Sequence, residues 1–369
     1  MRIFFTVIAI LLIFCPRLQA QNSSEVYLEE VREGIELIYN QEFTQSQEII
    51  TRLEKKLQGS AIPDLMKALQ LYWIHYPIHL KEKQLQQFQN YLDRSYQRSL
   101  KVLTSDPGNP EAIFLALASQ GFLAESYAES GRSFKAVGAA KRAYNYIKLG
   151  SKKLDDLTEF YLSTGLYNYY REYYPDTYPI YKPFMSFFMK GNKELGVQQL
   201  EKAAKEASIA HVIAKYYLSY IYMRYEYVPE KALRQARDLH RTYPNNLIFT
   251  AIYLESLIIN NQFREAQPLA VKLQRQKSPY LKIYGDLFMA VIQEKQYQDY
   301  DKAEKLYRKA LTLNDENDMD RDHLEAFAYM GLGRIYERKK DPEARKYFKE
   351  ALDQAYTKAM KEEAKNHLN

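Results

Sequence analysis

The sequence predicts an all-α chain folded as a right-handed superhelical solenoid of about seven antiparallel helix pairs. Three observations predict it. Turn-forming residues are scarce: 13 Gly and 13 Pro in 369 residues, about 7% where roughly 12% is usual, which argues against a loop-rich or all-β fold. Four segments in the C-terminal half share one spacing, a small residue followed four and seven positions later by residues that would face a neighbouring helix: Ala232/Ala236/Leu239, Ala266/Ala270/Leu273, Ala303/Tyr307/Ala310 and Ala344/Phe348/Ala351. Their phase is 34, then 37, then 41 residues, the self-similarity expected of stacked helical units. Finally, Pro110-Glu111, Pro229-Glu230 and Pro342-Glu343 share one helix-opening signal, proline at the first helical position and glutamate at the positive end of the helix dipole.

Taken in order, the chain opens with Arg2, an apolar run from Ile3 to Phe14 and the small-residue site Leu18-Gln19-Ala20, the three regions of a secretory signal peptide, so residues 1–20 are expected to be removed. Cys15, the only cysteine, leaves with them, and a thiol-free mature chain cannot be a disulfide scaffold or a cysteine enzyme. Bulky Phe14 before Cys15 and Pro16 after it argue against lipidation. The apolar run is too short to span a bilayer, and no later stretch does better. The mature chain is therefore expected to carry no membrane span and to be exported: periplasmic first, with an outer-membrane-associated or secreted location as the alternatives.

Residues 21–108 carry degenerate N-terminal helical repeats around Gly34, Leu37, Phe43 and Leu53. Residues 109–207 carry divergent repeats, with Leu123-Ala124-x2-Tyr127, a turn at Gly131, Ala136/Ala140/Ala143 and Gly196/Leu200/Ala203. They are interrupted at 175–191 by an insertion holding Pro175, Pro179 and Pro183 with Phe184, Met185, Phe187, Phe188 and Met189. The preceding helix is expected to end near Tyr173. Three prolines stiffen the segment and its apolar run needs burial, so it reads as an ordered element over the solenoid, with Tyr174, Tyr178 and Tyr181 facing a groove or solvent. Residues 208–356 hold the best repeats. Phe348, Ala351, Leu352 and Ala355 there form one helical stripe opposite Lys346, Lys349, Glu350 and Asp353. Residues 357–369 make a polar C-terminal capping helix.

The pattern of Leu332-Gly333-x2-Tyr336 on one helix and Ala344-x3-Phe348-x2-Ala351 on the next, with Pro244 twelve residues after Ala232, resembles the tetratricopeptide repeat family. A fainter similarity, from Gly165 through the proline segment to Asn246, is to the eukaryotic outer-membrane and lipid-droplet inclusion-clearance members of that family. It implies an interaction role and nothing more. The wider resemblance implies a concave groove lined by first-helix residues, which on this chain are Tyr217, Ile221 and Arg224, then Ile248 and Glu255, then Met289, then Met330 and Arg334.

Chemistry-bearing motifs are few, and no catalytic, metal or cofactor-binding residue is expected. His75 and His79 are the one close histidine pair, but Pro77 between them disfavours the helix that would align them. Gly331-Leu-Gly333 lacks the strand and the Lys-Ser/Thr of a phosphate loop. Asp155, Asp156 and Glu159 precede a helix with cap spacing. The mature charge excess is spread along the chain, its densest run being Arg338-Lys339-Lys340, so nucleic acid is not an expected partner. Tyrosine stands out, 34 residues against 17 phenylalanines. Tyr127, Tyr216, Tyr307 and Tyr336 suit packing slots between helices; the rest offer the amphipathic ring favoured at recognition surfaces. The expectation is a scaffold that binds a protein or peptide in its groove. The alternative is a carbohydrate- or peptidoglycan-binding or envelope-assembly factor whose exposed tyrosines stack on sugar rings.

Overall fold

The computed structural model describes residues 15–177, 188–316, 322–355 and 358–369, and among them seventeen α-helices and no strand. The chain divides into two compact units, residues 1–211 and 212–369. No helix of the described residues is long and apolar enough to cross a membrane.

The first unit contains α1 (Cys15–Tyr39), α2 (Phe43–Lys56), α3 (Ile62–Ile74), α4 (Glu82–Ser105), α5 (Pro110–Glu129), α6 (Ser133–Gly150), α7 (Phe160–Thr177), α8 (Lys193–Glu206) and the start of α9 (His211–Tyr220). Most of the expected signal segment, residues 1–14, lies outside the described residues, and the processing point after Ala20 falls within α1. Successive helices pack on one another. The α5 start is as the sequence predicts: Pro110 is the first helical residue and the Asn109 side chain accepts the Ala112 N–H at 2.9 Å, satisfying one of the orphan donors of a helix N-terminus. The α7 and α8 backbones touch where Gly165 meets Gly196. A Cβ on Gly196 would lie 2.5 Å from the Tyr169 backbone nitrogen, so only glycine permits the approach.

Two expectations for this unit are corrected. On α6 the inward pair is Ala139 and Ala143, whereas Ala140 is exposed and Ala136 half-exposed. The stripe that faces α5 and the Phe160 ring runs through Ala139, Ala143 and Gly150, and Ala136 and Ala140 lie to one side of it. The helix before the insertion does not end near Tyr173 but runs to Thr177 with Pro175 inside it.

The second unit holds the rest of α9, a π-helical turn Ile221–Tyr225, α10 (Pro229–Thr242), α11 (Leu247–Ile259), α12 (Phe263–Gln274), α13 (Pro279–Ile292), a second π-helical turn Gln293–Tyr297, α14 (Tyr300–Glu316), α15 (Asp322–Arg338), α16 (Glu343–Gln354) and α17 (Lys358–Leu368). All four predicted stripes on α10, α12, α14 and α16 are buried. Between them lie α11 and α13, apolar over most of their surface and buried nearly end to end, as a helix with little polar surface must be. Gly331 and Gly333 let α15 approach its partners: added Cβ atoms would lie 2.2 Å from the Tyr307 ring and 2.7 Å from the Phe348 ring. The 37-residue phase from Ala266 to Ala303 spans the second π-helical turn, which closes on Gln298 in the left-handed region at φ 56°. The last helix is not polar all round. Ala364 is fully buried with Met330, Phe348 and Ala351, and the His367 ring stacks on Phe348 at 4.2 Å.

Candidate partner-binding surfaces

Of the eight residues expected to line a groove, five are interior. Ile221, Ile248, Glu255, Met289 and Met330 are all buried, which corrects the expectation that they face a ligand. The reason lies in α11 and α13. Because these helices are apolar over most of their surface, the first helices of successive repeats pack against one another and close over the side that a groove would need open.

The charged members of the row are paired inside that closure. Arg224 donates to both carboxylate oxygens of Glu255, at 3.0 and 3.3 Å. The Glu255 side chain has no exposure and that of Arg224 is 13% exposed. The guanidinium also lies over the Tyr220 ring, 4.3 Å from its centroid, a cation–π contact strengthened by partial desolvation. Arg334 makes a two-pronged contact with Glu294 (2.6 and 2.9 Å) and a third bond to Glu363 on α17 (2.8 Å), while the Tyr307 hydroxyl donates to Glu294 at 2.6 Å. Burial pushes the Glu294 carboxyl up, but the Arg334 and Tyr307 hydrogen bonds outweigh it and hold the group below the usual range. These are interior ion pairs, and the sequence pattern does not point to Glu294 because it sits in the π-helical turn, off the repeat register.

Tyr217 is the one aromatic residue among the eight. It is half-buried, its ring perpendicular to Tyr216 with centroids 5.7 Å apart, and Tyr216 packs in turn on Tyr220 at 4.9 Å. All three on α9 are half-buried, as are Tyr161, Tyr167, Tyr170 and Tyr173 on α7. Neighbouring rings pack against most of them, Lys202 lies over Tyr161, and each keeps part of its surface exposed. Tyr178 and Tyr181 lie outside the described residues, as does the side chain of Tyr174. The downstream end of the insertion is described and anchored. The Met189 N–H donates to the Tyr144 hydroxyl at 2.9 Å, the Tyr167 hydroxyl donates to the Met189 carbonyl at 2.7 Å, and Phe188 meets the Tyr144 ring edge-on at 5.1 Å.

The residues weighed for chemistry take structural places. His75 follows the end of α3, with burial and then Lys81 pushing its pKa down, and His79 lies 3.5 Å from Glu129. Among the described residues no three His, Cys, Asp or Glu are grouped to hold a metal ion. Asp156 forms an ion pair with Lys153 at 3.0 Å. Glu159 is a cap, although not of its own helix. Its buried carboxylate accepts the N–H groups of Ser208, Ile209 and Ala210 at 2.9, 3.2 and 2.9 Å, just ahead of α9. Burial raises its pKa while those three bonds and His211 oppose the shift.

Residues 293–356 match the tetratricopeptide repeat family. That stretch, from the second π-helical turn through α16, is built of stacked helices of the tetratricopeptide kind. The crystal structure of yeast Tom70 is similar, with a TM-score of 0.40 and 14% identity over 94% of this chain and 81% of that one. No curated protein matches.

Proposed function

We propose that the chain is an exported, non-catalytic scaffold, working in the periplasm or on the outer membrane, and that its partner is a protein or peptide. The n-, h- and c-regions of residues 1–20 support export. The observation that carries the binding reading is the row of half-buried tyrosines on α9, Tyr216, Tyr217 and Tyr220. Rings packed on one another and partly exposed bind with little loss of side-chain entropy, and their hydroxyls tolerate both apolar and polar contacts. The closed inner row below them, with Arg224 and Glu255 paired, acts as a rigid support and leaves no charge for a ligand to neutralise.

A photo-reactive amino acid in place of Tyr217, compared with a second variant carrying it at exposed Tyr297 on α13's π-helical extension, tests this in envelope preparations. A defined protein cross-linked from position 217 and absent from 297 is the expected outcome. If position 217 captures peptidoglycan fragments and no protein, the carbohydrate-binding alternative replaces this reading. Export is tested separately by intact mass, which should give a chain beginning at Gln21.

A further inference from the structure

From Gly131 to Lys153 the sequence holds seven Lys and Arg and no Asp or Glu, and α6 lies within this stretch. Its inward side is Ala139, Ala143 and Gly150. On the opposite side Phe134 is 97% exposed and Val137 68% exposed. At 3.6 residues per turn, Phe134, Val137, Lys141, Tyr144 and Lys148 fall within an arc of roughly 80° and run along roughly 20 Å of helix edge. The strip continues onto Phe188, 40% exposed and packed on Tyr144, and Met189, 36% exposed, with Lys190 exposed beside them.

We propose that this edge of α6, with Phe188 and Met189, docks the protein onto an anionic lipid surface. Three features favour a bilayer over a protein partner. Lysines are interleaved with the apolar side chains along one line, whereas a protein interface gathers its apolar residues at the centre and its charges at a rim. Such alternation suits a membrane boundary, where rings and aliphatic groups enter the acyl region and lysine stems run along it to keep their ammonium groups at the phosphates. Phe134 stands clear of the surface, so whatever receives it must supply all the apolar surroundings, and a bilayer does so without a matching pocket.

The charge is complementary to phosphate, and α6 itself carries no carboxylate to balance it. On one flank Asp93 of α4 faces Arg142 and Lys135, and Lys148 lies over the Tyr144 ring at 4.9 Å. By helical position Lys141 and Lys148 lie on the same side of α6 as Phe134 and Val137. Attraction between such lysines and anionic lipid falls off within a Debye length, so the docking is reversible and weakened by salt.

The test is flotation of the chain beginning at Gln21 with vesicles of phosphatidylcholine alone and of phosphatidylcholine containing one third phosphatidylglycerol. Binding to the second and not the first, reduced by salt, is expected. Phe134→Ser with Val137→Ser should weaken it about tenfold or more, and Lys141→Glu with Lys148→Glu by a similar factor. The same charge change at exposed positions of α16, Lys346→Glu with Lys349→Glu, should leave it unchanged. Helical circular dichroism of each variant separates lost docking from lost folding. The proposal is overturned by equal binding to both vesicles or none, by a serine variant that binds like the parent, or by an α16 control that weakens binding as much as the α6 pair. It is equally overturned if an acidic polypeptide, and not the vesicles, competes for this edge.

Discussion

The inner row of α11, α13 and α15 and the outer edge of α6 are built from the same residue types, aromatic, aliphatic and basic, yet one is sealed and the other open. The difference lies in the rest of each helix. α11 and α13 are apolar over most of their circumference, so they are surrounded, and a charge nearby, Arg224 or Arg334, finds a carboxylate inside. α6 fills its core side with Ala139, Ala143 and Gly150, which let it lie close to its neighbours. Its large apolar side chains are left pointing outward. Which residues can reach a partner is therefore decided by what the opposite face of the helix offers.

The strongest way to break this comparison is to open the sealed row. Arg224→Ala takes the guanidinium partner from the fully buried Glu255 carboxylate, and losing one partner of a buried pair costs about 3–5 kcal/mol. Urea denaturation should show a loss of that size, whereas Arg224→Met with Glu255→Leu, removing both charges, should recover most of it. A cost for Arg224→Ala below about 1 kcal/mol would mean that Glu255 is hydrated and the inner row open.

A second, smaller loss is expected in the first unit. Glu159→Ala deprives three N–H groups ahead of α9 of their acceptor, and bonds to a charged acceptor contribute about 1.5–3 kcal/mol. Because the three share one carboxylate, the loss should be about 3 kcal/mol and not three times that. Glu159→Gln, which keeps one acceptor oxygen, should lose distinctly less. Equal stability of the alanine and glutamine variants would show that the carboxylate fills space and does not cap.

The helical architecture and the four stripes of the second unit were legible because burying a period-3.6 pattern next to small residues admits few arrangements. The binding positions were not. The family register assigns Tyr217 through Arg334 to first-helix positions, but whether that side is open depends on how apolar α11 and α13 are around their circumference, which a register does not weigh. Glu294 was invisible because a π-helical turn shifts it out of phase. The edge of α6 does carry a signal in the sequence, an acid-free run with Phe134 and Val137 opposite three small residues. Local charge density does not reveal it, because the densest basic tripeptide is Arg338-Lys339-Lys340, at the end of α15 and the turn after it.

Acid should separate the surface network of the second unit from its sealed row. The Glu304 side chain, 17% exposed, accepts from Lys339 at 2.7 Å, Tyr336 at 2.8 Å and Arg308 at 3.0 Å. Burial raises its pKa, but these donors more than offset that and lower it to about 2. A folded pKa below the unfolded value of 4.5 means the contribution is fully present above pH 4.5 and is lost as pH falls toward 2. The network lies near the surface, so the expected contribution is about 1 kcal/mol. Glu304→Gln should flatten the stability profile between pH 4.5 and 2 by that amount. An unchanged profile would show that the donors do not hold the carboxylate.

The smallest expected effect bears most directly on the open edge. Phe134 is 97% exposed, so Phe134→Ser removes almost no buried area and should change the unfolding free energy by no more than about 0.5 kcal/mol. The same residue type in the sealed region gives the opposite result: Phe288 has no exposure, and truncating such a side chain to alanine costs about 3–5 kcal/mol. Measuring both variants under one set of conditions calibrates the comparison. A destabilisation of about 1–2 kcal/mol at Phe134 would mean that the ring is covered within the free protein, and the outer edge of α6 would then be core and not surface. If the change is near zero, the ring has no stabilising role in the isolated chain, and its exposure has to be explained by something it meets in solution or at an interface.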